Sequence, residues 1–477
     1  MRRTWLLAAL LGLATAALRL PRAFGDALWQ DEVASARIIR EPTFGGMLHH
    51  VVRTESTPPL WYALGWIAHK AGLSVHDVRL LSVVAGAVLV TVAVRLAAEV
   101  LPLPLAATSG VLLAVGAEFT AHGRELRAYE LFALLTVVFA IALYRAALSP
   151  SSGRAAVVAA SAGAGGMTHY FFAFTLVAGL GWLWFEPAAR EARRRVTGAV
   201  VVALAACSPW LPLFVAQYRH DRYAWIGPFD ARETIETPLR IFSPLVATPA
   251  TGVVFLSWLA VGVWVAWRRG PLERLLATLA LAPLLLAGAT WAAGVDAFAV
   301  RNMIGIGPFV AVVALLPLTA LSVTRQLPVA AAVAVAATAL FVVGQKATPP
   351  FNGIAVALVR EGWRPPDSVV VQGGFNDYRS PLEWYLPHLP LLVRGRMGGL
   401  SGHPTFAVLA HRPLPWRLIT RAERVGGYLV ARLRPRATAR SFRRGVVLTA
   451  TRRRVGTSTT PLDAGAVGRI ARSSGAR

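Results

Sequence analysis

The chain of 477 residues has one cysteine, Cys207, and only two lysines, Lys70 and Lys346. A single thiol excludes an internal disulfide and any thiolate metal cluster. Acids are scarce as well, with 24 Asp and Glu against 49 Lys and Arg. A carboxylate pair therefore stands out as a candidate for general-base or metal work. Neither G-x-G-x-x-G nor G-x-x-x-x-G-K-[ST] occurs, so nucleotide binding has no motif behind it. Charged residues are only 15% of the chain and hydrophobic ones 55%. That balance excludes an ordinary soluble globular protein.

What is present is a series of apolar runs, each about 15–22 residues long, continuing to Gln345 and long enough for bilayer spans. They predict a mainly α, polytopic transmembrane helical bundle of about eleven spans over residues 1–348. Met1–Leu20 opens on Arg2 and Arg3 and reads as an uncleaved first helix rather than a signal peptide. Further spans are expected near 79–96, 104–118, 128–145, 155–168, 170–186, 196–216, 251–267, 275–294, 302–321 and 326–345. The stretch 58–73 opens on Pro58-Pro59 and carries His69 and Lys70; it reads as a re-entrant or interfacial helix, not a crossing. Arginines cluster at Arg190–Arg195, at Arg268, Arg269 and Arg274, and at Arg325. The positive-inside rule assigns these loops to the cytoplasm.

After Pro349-Pro350 the pattern changes. Short β-rich runs at 368–372, 389–393, 406–410, 428–433 and 446–449 alternate with helical patterns at 379–386 and 416–424. They predict a small extracytoplasmic α/β domain over 349–455. Residues 456–477 read as a disordered basic tail. From Arg394 onward 18 Arg face only Glu423 and Asp463. Beside so many spans, that charge suits an anionic membrane surface or lipid phosphate, and no nucleic-acid partner is expected.

By this topology the chemistry-bearing residues share the outer face. Asp31 and Glu32 lie in the first outer loop, 21–58, and Glu55 precedes Thr57-Pro58-Pro59-Leu60. His122, Arg124, Glu125, Arg127 and Tyr129 form a second group and His169-Tyr170 a third. Arg222, Tyr223, Asp296 and Arg301 complete the set. Arginine binds phosphate oxygens bidentately while a carboxylate takes a proton, so such a set suits a reaction on a phosphate-bearing lipid. Each residue also has a bland reading. The arginines can be snorkelling interfacial side chains, the tyrosines an aromatic belt, and Glu55 or the Asp31-Glu32 pair a helix cap.

Several stretches in this order resemble the GT-C superfamily of membrane glycosyltransferases, nearest to family 39-type enzymes such as protein O-mannosyltransferases and aminoarabinose transferases. They are Leu28-Trp-Gln-Asp-Glu32, Glu55-Ser-Thr-Pro-Pro-Leu-Trp-Tyr62, Val78-Arg-Leu-Leu-Ser82, Arg124-Glu-Leu-Arg-Ala-Tyr129, His169-Tyr170, Val300-Arg-Asn-Met303, Asp367-Ser-Val-Val-Val371 and Trp384-Tyr385. The resemblance implies a polyprenyl-phosphate-linked sugar donor and inverting transfer to an acceptor hydroxyl on a lipid, glycan or protein, outside the cytoplasmic membrane. It casts Asp31 as general base and Glu32 as its catalytic neighbour. Arg127, Arg301 and Arg124 would meet the donor phosphate, with Glu55, Glu125, Tyr129, His169 and Tyr170 in support. A divalent metal is possible in such a site, with Glu32, Glu55 and His169 as its ligands. Thr57 stands where protein O-mannosyltransferases have His, and Asn302 replaces a Tyr. The alternative is a multi-pass transporter or lipid-handling scaffold, which would place its ionisable residues near the bilayer midplane.

Overall fold

The computed structural model describes residues 2–219, 226–295, 298–345, 349–364, 367, 369–372, 381–386, 392–394, 406–410, 419–433 and 447–450. The chain forms two compact units. One comprises Met1–Ala23 and Ile38–Gln345, the other Phe24–Arg37 and Lys346–Arg477.

Among the described residues every regular element of the first unit is a helix, as membrane segments must be when no water is present to satisfy a bare backbone. Among the described residues eight helices are long and apolar enough to cross a membrane. They are Arg2–Gly25, Asp77–Ala97, Tyr129–Leu148, Arg193–Arg219, Pro249–Trp267, Pro271–Ala292, Val300–Ala320 and Val323–Gly344. The other three expected segments are also helices, but shorter: Leu103–Val115, Ser152–Gly166 and Phe172–Phe185. Leu60–Lys70 has 11 residues. At 1.5 Å per residue that is about 16 Å, roughly half the hydrocarbon core. It does not reach across.

Local sequence sets several of the helix starts. Thr248 accepts from the Thr251 amide ahead of Pro249, in a capping box, and Gly270-Pro271 begins the next helix with Glu273 turned back to the Gly270 amide. Two buried ion contacts tie the early helices together. Arg19 pairs with Glu130 at 3.2 Å, both side chains excluded from solvent. Arg79 donates to the Ala23 carbonyl at 2.8 Å, a cation at the carbonyl end of a helix. Arg19 needs the room left by Gly86 and Gly123, where a Cβ would stand 1.8 Å and 2.2 Å from its Nη1.

The second unit holds a six-stranded sheet: β1 Val369–Gln372, β2 Leu392–Arg394, β3 Phe406–Ala410, β4 Ile419–Val425, β5 Tyr428–Leu433 and β6 Val447–Ala450. The order is β2-β6-β1-β3-β5-β4, with β1 and β3 parallel and the other pairs antiparallel. The helix Phe351–Arg360 buries Phe351, Ile354 and Leu358 in one cluster with Val369, Phe406, Val408 and Val430. One expectation fails here. The pattern at 416–424 predicts a helix, yet Ile419–Val425 form strand β4. Gly426-Gly427 close a two-residue hairpin, with Val425 paired to Tyr428 and Gly426 at φ +58°, a conformation glycine adopts without strain. That turn chemistry decides the pairing. Residues 456–477, read as a basic tail, lie outside the described residues.

Candidate active site

The acidic pair Asp31-Glu32 opens the helix Gln30–Ile39. Trp29 donates its amide to Glu32 Oε2 at 3.2 Å, the carboxylate half of a capping box. Glu32 is 1% exposed, whereas Asp31 is half-buried. The cap reading of this stretch therefore holds for Glu32, and Asp31 is the more accessible carboxylate. The segment is held within its own unit by the Tyr385 hydroxyl, which accepts from the Leu28 amide at 2.9 Å. Arg37 and Glu383 add an ion pair at 3.7 Å.

In the helical unit, four separated stretches come together. Arg127 Nη1 lies 3.1 Å from Glu55 Oε2 and donates to the Tyr62 hydroxyl at 3.3 Å. Tyr62 and the Thr57 hydroxyl are 3.1 Å apart. The Gln217 amide donates to the carbonyls of Val51 and Thr57, each at 3.1 Å, and accepts from the Tyr170 hydroxyl. Trp210 donates to that hydroxyl at 2.9 Å. The loop carrying Arg127 is pinned by Ser82, whose hydroxyl donates to the Glu125 carbonyl at 2.6 Å. Arg127 lies 5.9 Å from the Tyr129 ring centroid. On its other side Tyr129 neighbours His122 at 4.3 Å and His169 at 5.6 Å.

The two histidines, both between spans, are tuned in opposite directions. His122 has Glu125 Oε2 at 2.8 Å from Nδ1 and Glu118 Oε2 at 3.2 Å from Nε2. Burial disfavours its charge, but the two carboxylates outweigh burial and raise its pKa to about 10. His122 is a cation at neutral pH, donating from both ring nitrogens. His169 stacks on Phe132 at 4.7 Å. Burial first, then the positive charges of Arg127, Arg301 and His122, lower its pKa to about 3. It stays neutral, and its Nδ1 accepts the Phe171 amide at 3.2 Å, which leaves the proton on Nε2 as a donor.

Glu55, Arg127, Tyr129, His122, Glu125, His169 and Tyr170 thus form one polar cluster, with Arg301 close enough to act on His169 electrostatically. Arg124 lies in the same pinned loop, half-buried. Asp31 and Glu32 belong to the other unit. Arg222, Tyr223 and Asp296 lie outside the described residues. Residue-by-residue reading missed Gln217, Glu118 and the role of Tyr62. Gln217 carried a signal, a lone amide in the apolar run Arg193–Arg219; Glu118 carried one too, four residues before His122.

Glu32, Glu55 and His169 do not fit a metal. Glu55 faces Arg127, Glu32 caps its own helix, and binding at Nε2 of His169 would drive its proton onto the nitrogen that accepts from Phe171. No group of three His, Cys, Asp or Glu among the described residues could hold an ion.

Residues 56–212 match the family model of dolichyl-phosphate-mannose-protein mannosyltransferase. The structure of ArnT from Cupriavidus metallidurans in the apo state matches with TM-score 0.54 and 16% identity, over 88% of this chain and 97% of ArnT. ArnT bound to undecaprenyl phosphate matches with TM-score 0.53 at the same identity and coverage. The chain shares the fold of ArnT. The matched family segment takes in the Arg124–Tyr129 loop and His169-Tyr170 of this helical bundle, begins one residue after Glu55 and ends before Gln217. A third similar structure is the archaeal oligosaccharyltransferase AglB from Archaeoglobus fulgidus, with TM-score 0.48 and 12% identity over 85% of this chain and 69% of AglB. No curated protein matches the chain.

Proposed function

We propose that this protein is an integral membrane glycosyltransferase that moves a sugar from a polyprenyl-phosphate donor to an acceptor hydroxyl on the outer face of the cytoplasmic membrane, with inversion. The observation that carries the reading is Arg127, buried, oriented by Glu55 and Tyr62, and set among Arg301, His122 and the neutral donor His169 in a GT-C fold. ArnT, with that fold, binds undecaprenyl phosphate.

In the reaction, Asp31 accepts the proton of the acceptor hydroxyl as its oxygen attacks the anomeric carbon. The glycosyl–phosphate bond breaks, and the bonding pair leaves on the phosphate oxygen. Charge grows on that phosphate, so Arg127 and Arg301 bind the transition state more strongly than the ground state. Arg124 adds a third cation for the donor phosphate, and Glu125, Tyr129 and Tyr170 keep the loop and the cations in place. Glu32 holds the helix start that presents Asp31, and no step passes through a metal. The C-terminal domain faces outward by the arginine distribution.

The test is transfer from a synthetic polyprenyl-phosphate sugar by purified protein. Asp31→Asn preserves size and most hydrogen bonding but cannot take the proton, so transfer should be almost lost with the melting temperature unchanged. Wild-type transfer by Asp31→Asn would remove Asp31 from the mechanism. Mass spectrometry of co-purifying lipid gives an independent readout, with a glycosylated polyprenyl phosphate as the expected species.

A further inference from the structure

Away from the polar cluster, the helical unit contains a cavity of about 680 Å³ between the helices Phe172–Phe185 and Pro271–Ala292, well within the size range of ligand pockets, about 300–1,000 Å³. Its walls are apolar, with Val177, Gly181, Phe185, Trp267 and Leu285 among the lining residues. Phe185 is 85% exposed and Trp267 56%. In an aqueous protein these would be a liability; here they face lipid.

One end of the cavity is polar. Glu186 holds Arg274 through two hydrogen bonds, at 2.7 and 3.0 Å, and Arg193 Nη2 donates to the Glu186 carbonyl at 3.0 Å. That contact brings the loops 186–195 and 268–274 together, with seven arginines against three glutamates. Arg190, Arg194, Arg195 and Arg268 are exposed in these two loops, and Arg268 lies over the Trp264 ring at 4.1 Å. Aromatic rings and arginines at one level mark a membrane–water boundary.

We infer that this cavity is a binding site for an anionic phospholipid, its acyl chain lying along Val177, Gly181 and Leu285 and its phosphate at the Arg190–Arg195 and Arg268 rim. Charge picks the occupant. The excess of cations selects an anionic headgroup over a zwitterionic one, and the leaflet next to arginine-rich loops is the one rich in anionic lipid. The short helix Phe172–Phe185, 14 residues or about 21 Å, leaves lipid room to rise into the gap beside it. The site does not depend on the transferase reading.

The experiment is native mass spectrometry of the full-length protein in mild detergent. The probes are palmitoyl-oleoyl phosphatidylglycerol, palmitoyl-oleoyl phosphatidylcholine and undecaprenyl phosphate. The wild type should retain one phosphatidylglycerol at least five-fold more readily than phosphatidylcholine. A side chain at position 181 would enter open space, so Gly181→Phe should fold normally, fill the cavity and cut retention at least five-fold. Arg194→Gln/Arg195→Gln, at the surface, should abolish the preference for phosphatidylglycerol while leaving chain binding, and it decides the matter alone if Gly181→Phe melts early. Equal retention of the two phospholipids by the wild type, or a preference that survives the arginine pair, overturns the inference. So does displacement of phosphatidylglycerol by undecaprenyl phosphate at equal concentration, which would give the cavity to the donor chain.

Discussion

Arg127 and Glu55 allow a scaffold to be told from a phosphate-binding cation. Their side chains are 9% and 5% exposed and 3.1 Å apart. An exposed pair in that geometry would contribute roughly 0–1 kcal/mol, but removing one partner from a buried pair leaves an uncompensated charge and costs about 3–5 kcal/mol. Arg127→Met should fall at the low end, about 3 kcal/mol, because the Tyr62 hydroxyl can turn its proton to Glu55. Glu55→Gln leaves Arg127 short of an anion and should cost a similar amount. The double variant, Arg127→Met with Glu55→Gln, has no buried charge left at this pair, and its stability should return to within about 1 kcal/mol of wild type.

Transfer should not follow that pattern. If Arg127 meets the leaving phosphate, kcat/KM falls by about 10²–10³ in Arg127→Met, the size typical of losing one transition-state donor. The double variant should be just as slow, though as stable as the wild type. Melting temperature by intrinsic fluorescence and transfer from a polyprenyl-phosphate sugar are measured on the same preparations. A double variant that recovers both stability and transfer would make Arg127 a structural ion-pair member and refute its proposed role.

Four further outcomes are expected. The folded pKa of His122, raised from 6.5 to about 10, means that its stabilising contribution is fully present below pH 6.5 and lost as pH rises toward 10, so the melting-temperature gap between wild type and His122→Gln should narrow across that window. His169, lowered from 6.5 to about 3, has the opposite slope: the wild type should lose stability relative to His169→Gln as pH falls from 6.5 toward 3. Glu32→Gln should keep at least a tenth of wild-type transfer, because the amide oxygen can still cap Trp29, and EDTA should leave transfer unchanged; loss in both would make Glu32 a metal ligand. A cysteine at Gly427, exposed in the β4–β5 turn, in a Cys207→Ser background should react with an impermeant maleimide in spheroplasts, and labelling only after lysis would reverse the proposed orientation.

What the sequence made legible follows from what its residues do alone. An apolar run must become a helix in lipid whatever its neighbours, so every expected segment of the bundle is helical, and the shortness of 60–70 follows from its two prolines and its polar end. Residues 416–424 misled because a short amphipathic stretch fits either period, and the deciding Gly-Gly turn lies beyond its end. Pairings distant in the chain left no local trace. Arg19 and Glu130 are 111 positions apart, and nothing near either names the other. Arg127 looked like one interfacial arginine among several until Glu55, Tyr62 and the Ser82 clamp surrounded it. His122 was different, since its spacing of three and four residues from Glu125 and Glu118 lets both carboxylates reach it, and that much can be read from the chain.

The balance of charge in the cluster bears on how such a site would work. Arg124, Arg127, Arg301 and the protonated His122 stand against Glu55, Glu118 and Glu125, so the resting cluster has little excess charge to neutralise. A cluster of bare arginines would bind any anionic lipid headgroup tightly in the ground state, which lowers KM without raising kcat. Here Glu55 competes for Arg127, so the arginine responds most when the phosphate bears more charge than a diester. The leaving phosphate acquires that charge as the glycosyl bond breaks. His169, kept neutral by burial and then by the cations around it, offers an N–H to an oxygen without adding to ground-state attraction. The counterions that make the cations look merely structural are, on this reading, what reserves their strength for the transition state.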